Sequence, residues 1–184
     1  MENLQTQQAF ALSAGKALIV SYSYSGNTYR IAQGIQAVTG GDLCEIFPWQ
    51  PYPMSFPELL AQVKREIRIK QKPQLLETTV SPKHYDLIFA GSPNWCGTIA
   101  PPLFAWLSRN DFSGKVILPF GSHCGGVKGD MQGDVAKICP KAEVRQALCL
   151  MGDGGPQLEE QVSRWLTEQG VTLPAKVHAG YSGA

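Results

Sequence analysis

The chain has 184 residues, of which 43% are apolar, and its 16 Lys and Arg residues against 15 Asp and Glu residues leave a formal net charge of +1. This composition predicts a globular protein with a single domain over residues 1–184, its core at about 16–170 and a short tail at each end. A near-neutral chain offers no basic surface for nucleic acid, and no apolar run reaches membrane-spanning length. Neither nucleic acid nor a membrane is therefore an expected partner.

The cysteine content indicates reduced thiols. The odd number of cysteines and the lack of any C-x-x-C pair argue against a disulfide framework and against a zinc site. The three histidines show no metal-ligand spacing, so no metal is expected. These features fit a cytoplasmic protein. The cysteines are Cys44, Cys96, Cys124, Cys139 and Cys149.

The first predicted strand begins at Ala17 and runs into a loop rich in hydroxyl groups, residues 23–28, which a helical pattern follows directly. A strand that ends at a helix N-terminus presents unpaired backbone N–H groups to an anion. The loop lacks both the Gly-Lys-Ser/Thr ending of a nucleoside-triphosphate loop and the three spaced glycines of a dinucleotide loop. It therefore suits a terminal monophosphate. On these residues alone, a turn whose hydroxyls merely cap the helix remains equally open.

The rest of the chain alternates between strand and helix patterns. A capping box at Ser55 and Glu58 predicts the start of the second helix, which runs to about Lys70. The later helices are predicted from Pro101, from Met131 and from Leu158. The later strands are predicted at 43–47, 85–90, 116–120 and 144–150, and the third and fourth of the five predicted strands lead into unusual loops at 91–98 and 121–129.

Five strands that alternate with five helices, without hairpin signals between them, predict an α/β fold. The expected architecture is a doubly wound five-stranded parallel sheet of order 2-1-3-4-5. Ligands of such sheets bind at the carboxyl ends of the strands. The loops after the first, third and fourth strands are therefore expected to meet at one edge.

Several of these motifs occur together in one known family. The segment Ser-Tyr-Ser-Gly-Asn-Thr at 23–28 resembles the phosphate loop of flavodoxins, and Gly-Ser-Pro-Asn-Trp-Cys-Gly-Thr at 91–98 and Pro-Phe-Gly-Ser-His-Cys-Gly-Gly at 119–126 are similar to later loops of a bacterial flavodoxin-like subfamily that binds FMN. The similarity spans roughly residues 17–169. The resemblance implies a flavodoxin-like three-layer sandwich with flavin mononucleotide as its cofactor.

The resemblance also implies positions for the cofactor. The phosphate would lie against the first loop, and Trp95 would cover a face of the flavin ring, with a buried core tryptophan as the alternative. His123 is the catalytic candidate, as a proton or hydrogen-bond donor, and a histidine that orders its loop is the alternative. The cofactor-binding residues implied are Ser23, Tyr24, Ser25, Gly26, Asn27 and Thr28 in the first loop, Ser92, Pro93, Asn94, Trp95, Cys96 and Gly97 in the second, and Gly121, Ser122, His123, Cys124 and Gly125 in the third.

Two departures from the family pattern bear on function. Cys96 stands where related sequences usually carry a second large aromatic, which indicates either an open flavin face or looser packing. Cys96 and Cys124 could form a redox-sensitive pair, although small buried cysteines are commoner. The chain also lacks the acidity of flavodoxins that dock on basic partners, although a local acidic patch could survive in Asp42, Glu45, Asp130, Asp134 and Asp153.

The leading functional prediction is an FMN-binding redox protein that transfers electrons through a non-covalently bound flavin, and it is left open whether it also reduces small quinone-like acceptors as an FMN-dependent oxidoreductase. The alternatives are an electron carrier that serves a redox partner protein and a fold relative that has lost flavin. The chain is expected to be a monomer or a homodimer.

Overall fold

The structure is a computed structural model that describes residues 10–11, 17–78, 80–126 and 129–172. The helices are α1 (Asn27–Thr39), α2 (Phe56–Arg68), α3 (Pro101–Arg109), α4 (Met131–Ile138) and α5 (Leu158–Glu168), and a short 3₁₀ helix spans Pro82–His84. The strands are β1 (Phe10–Ala11), β2 (Ala17–Ser21), β3 (Asp42–Glu45), β4 (Leu87–Trp95), β5 (Thr98–Ile99), β6 (Val116–His123), β7 (Glu143–Val144), β8 (Leu148–Met151) and β9 (Val171–Thr172).

The central sheet has the predicted topology. Its parallel strands are ordered β3-β2-β4-β6-β7, and β8 pairs with the later residues of β6. Since β2, β3, β4 and β6 are the first four predicted strands and β7 and β8 together are the fifth, this is the order 2-1-3-4-5. The predicted doubly wound α/β fold is confirmed.

Alternation along each strand divides the core between the two faces of the sheet. On β2, Leu18 and Val20 belong to the cluster that packs against α2, α3 and α4. Their neighbours Ala17 and Ile19 belong to the cluster that packs against α1 and α5. Because both faces are covered, the strands are apolar on both sides, and the fold is a three-layer sandwich.

The fifth predicted strand is split in two. Between β7 and β8 lies Arg145, whose side chain is 2% exposed and donates to the Glu143 carboxylate at 2.7 Å and to the carbonyl of Gln169 at 2.5 Å. The amide N–H of Gln146 donates to the Gln169 side chain at 3.0 Å. The amide of Arg145 still donates to the Ile117 carbonyl of β6, and the chain leaves the ladder at Gln146, whose amide bonds to the end of α5 instead.

Two predictions about local structure were wrong. A hairpin does occur, because β4 continues to Trp95 and turns back through Cys96 and Gly97, with φ of 54° and 86°, into antiparallel β5. A two-residue loop with positive φ at both positions is the pattern of a type I′ turn, and Cys at its first position gave no recognisable signal. The capping box is also absent, since Ser55 precedes α2 without a side-chain cap hydrogen bond.

The predicted C-terminal tail begins with a paired segment. In β9, Val171 and Thr172 pair in parallel with Phe10 and Ala11 of β1. The remainder of the predicted tails, residues 1–9, 12–16 and 173–184, lies outside the described residues. Within the described part of the chain, no helix has both the length and the apolar character needed to cross a bilayer.

Candidate functional site

The loop after β2 leads to an uncapped helix end. Gly26 lies at the N-cap position of α1 with φ of 88°, and no side chain accepts a cap hydrogen bond there. The first turn contains no acidic residue. The opening N–H groups of α1 have no intrahelical acceptor, because the amide of Arg30 makes the first such bond, to the carbonyl of Gly26 at 2.9 Å. The hydroxyls of this loop therefore do not act as helix caps.

The hydroxyl groups around this end of the helix differ in their hydrogen bonding. The Ser23 hydroxyl oxygen is buried and, among the described residues, has no hydrogen-bond partner. The Thr28 hydroxyl shares a 2.8 Å hydrogen bond with the hydroxyl of Ser122, which lies on β6. Among the described residues, a Cβ placed on Gly26 would meet nothing within 4 Å, so none of them closes the loop on that side. A buried hydroxyl beside a set of free N–H groups is a donor arrangement that fits an anion such as a phosphate.

The Trp95 indole is packed among three tyrosines. Its ring lies 5.6 Å from Tyr22, 5.7 Å from Tyr24 and 5.0 Å from Tyr52 between centroids, each pair at a steep interplanar angle of 70–79°. Edge-to-face contacts of this kind hold an aromatic ring in a defined plane. Trp95 is half-buried, and it therefore combines packing against the core with an accessible surface.

A buried carboxylate supports this aromatic cluster. Glu66 of α2 is 2% exposed, and its two oxygens accept hydrogen bonds from the Tyr52 hydroxyl at 2.5 Å and from the Gln62 amide at 2.8 Å. Burial, and then the hydrogen bond to Glu66, raises the pKa of Tyr52 well above its ordinary value. Burial likewise raises the pKa of Tyr22, with smaller effects of Tyr24 and Glu66.

Tyr22, Tyr52 and Glu66 were not predicted as site residues from the sequence. A signal for Tyr52 was available, since it lies between two prolines directly after a strand of a predicted parallel sheet, at the edge where ligands bind. The hydroxyl of Tyr24 donates to the carbonyl of Pro53 at 2.7 Å and joins this loop to the first one. Nothing in the helix pattern of α2 indicated that Glu66 would be buried.

The second and third predicted loops begin inside the sheet. The ladder continues through Ser92 opposite Gly121 and Pro93 opposite Ser122. Ser92 is fully buried, and its hydroxyl accepts the amide N–H of Ala100 at 3.0 Å, just before α3. A Cβ on Gly121 would lie 2.6 Å from the carbonyl of Ser92 and 2.7 Å from the sulfur of Met131. Ser92 and Gly121 are therefore closely packed residues at the base of the site.

The outer parts of these loops meet at the sheet edge. A Cβ on Gly129 would lie 2.3 Å from the Gly97 carbonyl and 3.1 Å from the Asn94 side-chain nitrogen, which places the third loop against the β4–β5 turn. His123 accepts the amide N–H of Gly125 on its Nδ1 at 3.1 Å, as a loop-ordering histidine would. Val127 and Lys128 of the predicted loop lie outside the described residues.

The exposed thiols of the site are those of Cys96 and Cys124. Burial raises the pKa of the Cys139 thiol to about 11 and also raises the pKa of the half-buried Cys44 thiol. Among the described residues, no group of three or more His, Cys, Asp or Glu side chains could hold a metal ion.

The family model for flavodoxins matches residues 16–169 of this chain. The chain belongs to the flavodoxin family. This confirms the resemblance drawn from the loops at 23–28, 91–98 and 119–126. No curated protein matches the chain.

Solved structures of the flavodoxin family share the fold. A protein of Bacteroides eggerthii assigned as a flavoprotein superimposes with a TM-score of 0.74 at 23% identity, covering 85% of this chain and 99% of that one. A flavoprotein from Lactobacillus acidophilus in complex with FMN gives 0.65 at 21% identity, over 83% and 99%. Oxidised flavodoxin 2 from Bacillus cereus gives 0.50 at 23% identity, over 84% and 97%. At these identities the similarity shows the fold.

Proposed function

We propose that this flavodoxin-family chain binds FMN non-covalently at the carboxyl edge of its sheet and transfers electrons through it. The observation that carries the proposal is the start of α1, which has no side-chain cap at Gly26 and follows Ser23, whose buried hydroxyl has no hydrogen-bond partner among the described residues. Membership of the flavodoxin family and the FMN complex of the Lactobacillus acidophilus flavoprotein support the same cofactor.

The phosphate would be held by neutral donors. The first N–H groups of α1 and the hydroxyl of Ser23 would donate to its oxygens, and the positive end of the helix dipole adds to the attraction. The Thr28 hydroxyl is already hydrogen-bonded to Ser122, and it therefore ties the loop to β6. The exposed Ser25 supplies a further hydroxyl at the rim.

The flavin ring would lie beside Trp95 and the β4–β5 turn. Tyr22, Tyr24 and Tyr52 hold the indole at its edges, which gives a bound ring a preset aromatic surface for burial and stacking. When bound, FMN takes up and releases the electrons. The protein orients the ring, excludes water from the Trp95 side and surrounds it with backbone groups of residues 94–97 that tune its potential.

The second part of the proposal concerns the electron acceptor. The charge of the protein favours a small molecule as acceptor over a partner protein. Of the suggested acidic patch, Asp42 accepts from Tyr85, Asp134 accepts from Thr98, and Asp130 caps α4 at the amide of Gly133, hydrogen bonds that do not by themselves cancel a carboxylate charge. With a net charge of +1, the chain lacks the acidic field of a carrier that docks on basic partners. We therefore place a small quinone-like acceptor ahead of a partner protein.

The cofactor claim is tested on purified protein by its absorption spectrum and by titration of FMN fluorescence. Saturable quenching at one FMN per chain is expected. Trp95→Ala should weaken FMN binding by about tenfold or more and alter the bound spectrum. Trp49→Ala removes an exposed tryptophan outside the tyrosine cluster and should leave both unchanged. Unaltered binding in Trp95→Ala would refute the role of the indole.

The destination of the electrons is tested by turnover of the FMN-loaded protein. Steady NAD(P)H oxidation that depends on an added quinone supports reduction of a small acceptor. Slow turnover that only an added reductase protein accelerates supports the carrier instead.

A further inference from the structure

A second cleft lies on the helical face formed by α2, α3 and α4, and it borders the carboxyl edge at Thr98 and Ile99 of β5. Its volume is about 500 Å³, within the range of small-molecule sites. Its floor consists of apolar side chains that are half-buried or buried and that continue the core on that face of the sheet: Ile67, Ile99, Phe104 and Ile138. The cleft is therefore an apolar recess in contact with solvent.

Three lysines border this recess, and two of them have no carboxylate partner in the part of the chain that the structure describes. Lys137 lies 3.9 Å from the carboxylate of Asp134. Among the described residues, no carboxylate oxygen lies within 4.0 Å of the ammonium group of Lys70 or of Lys72. Both lysines are exposed. The recess therefore has unpaired positive charge at one end.

The two carboxylates that line the cleft are already occupied by donors. Asp134 accepts from the hydroxyl of Thr98 as well as pairing with Lys137. Glu66 is buried and accepts from the side chains of Tyr52 and Gln62, one on each oxygen. Hydrogen bonds from neutral groups do not cancel a carboxylate charge, but three lysines against two carboxylates still give the lining an excess of one positive charge, which favours an anionic ligand.

Phe104 indicates which kind of anion fits. The ammonium group of Lys72 lies 5.5 Å from the centroid of its ring, so a cation stands over an aromatic face that borders the cleft. A flat ring laid against Ile99 and Ile138, beside the Phe104 face that Lys72 covers, would gain apolar contact, and an anionic substituent would reach Lys72 and Lys70. We propose that this cleft binds a small aromatic carboxylate, with its ring on the apolar floor and its carboxylate between these two lysines.

The test uses naphthoate and its neutral counterpart naphthalenemethanol, titrated into the full chain by calorimetry with and without FMN. Naphthoate should bind at one site per chain, and naphthalenemethanol about tenfold or more weakly. Added FMN should leave naphthoate binding unchanged, because Lys70, Lys72 and Phe104 lie outside the three loops proposed for the flavin. Loss of naphthoate binding on FMN addition would place the anion in the flavin site and overturn the proposal. A failure of FMN to bind would leave the naphthoate result intact.

Matched variants locate the ligand. Lys70→Gln combined with Lys72→Gln should weaken naphthoate binding about tenfold or more, and Ser108→Trp should block the cleft from α3. Lys64→Gln removes an exposed α2 lysine that does not line the cleft and should change affinity less than about twofold. Circular dichroism and thermal unfolding confirm that each variant folds. Wild-type affinity in both the double variant and Ser108→Trp, or the absence of saturable binding, would overturn the proposal.

Discussion

Tyr52 links three parts of the site through one side chain. Its hydroxyl donates to the buried Glu66 of α2, its ring packs edge-on against Trp95, and its backbone belongs to the loop after β3. Since Trp95 is the aromatic surface proposed for the flavin, the orientation of the indole depends on a carboxylate that is 2% exposed. A buried charge of this kind is stable only while its hydrogen bonds are made.

Tyr52→Phe tests this dependence. Removing the hydroxyl leaves one oxygen of the buried Glu66 carboxylate without its donor, and we expect the free energy of unfolding to fall by about 2 kcal/mol. Tyr85→Phe is the matched control, because its hydroxyl bonds to Asp42 at an exposed position, and about 0.5 kcal/mol or less is expected there. Urea unfolding measures both. An equal fall in the free energy of unfolding in the two variants would show that the buried Glu66 carboxylate does not depend on the Tyr52 hydrogen bond more than an exposed carboxylate would.

At the scale of elements, the β4–β5 turn is the feature that most alters the predicted site. Cys96 has φ of 54°, a left-handed conformation that costs most L-residues about 1–2 kcal/mol. Gly97 beside it tolerates its own φ of 86° without this cost. The turn places Trp95 and Thr98 opposite each other and holds the indole at the site.

Cys96→Asn should therefore stabilise the protein. Asn-Gly is the favoured pair for a type I′ turn, and an increase of about 0.5–1 kcal/mol in the free energy of unfolding is expected. Cys124→Asn changes an exposed cysteine that lacks a positive φ and should be neutral. The measurement is again urea unfolding. If Cys96→Asn is neutral or destabilising, the thiol makes a contribution at this position that backbone conformation does not explain.

The elements also show what the sequence could and could not predict. Some features are visible in the local pattern of the sequence, such as the apolar run at 87–90 and the helical spacing of Ile31 and Ile35. These local patterns led to the correct strand order of the sheet. The extension of β4 and β6 into the predicted loops was missed, because it rests on pairing between distant residues such as Pro93 and Ser122. The split between β7 and β8 depends on Arg145 and Gln169, which no local pattern relates.

The residues of the candidate site also divide into those that a local pattern indicates and those that only distant contacts bring together. The hydroxyl loop was predicted because its residue types are distinctive after a strand, and Trp95 was predicted from the resemblance to flavodoxins. The cluster of Tyr22, Tyr52 and Glu66 was missed because its members are far apart in the chain and meet only through packing.

At the scale of the whole molecule, the buried tyrosines predict a loss of stability at alkaline pH. Burial raises the folded-state pKa of Tyr22 and Tyr52 above the ordinary value of 10.0. Above that pH the unfolded chain releases tyrosine protons that the folded chain keeps, so the free energy of unfolding falls as pH rises. Each tyrosine contributes a slope of about 1.4 kcal/mol per pH unit, and below about pH 10 the effect is absent.

The comparison between wild type and Tyr52→Phe isolates this effect. Urea unfolding between about pH 9 and pH 11.5 should show a shallower decline in the variant above pH 10, by about 1.4 kcal/mol per pH unit. Parallel declines would mean that Tyr52 ionises alike in the folded and unfolded chain.

The central claim is that the end of α1 binds the phosphate of FMN, and comparing FMN with riboflavin tests it most directly. The two ligands share the flavin ring and differ in the phosphate, so their dissociation constants isolate the loop at Ser23–Thr28 from the surface around Trp95. Two or more charge-assisted hydrogen bonds predict that FMN binds about 100-fold or more tightly than riboflavin. Equal affinities, or the absence of FMN binding, would contradict the account.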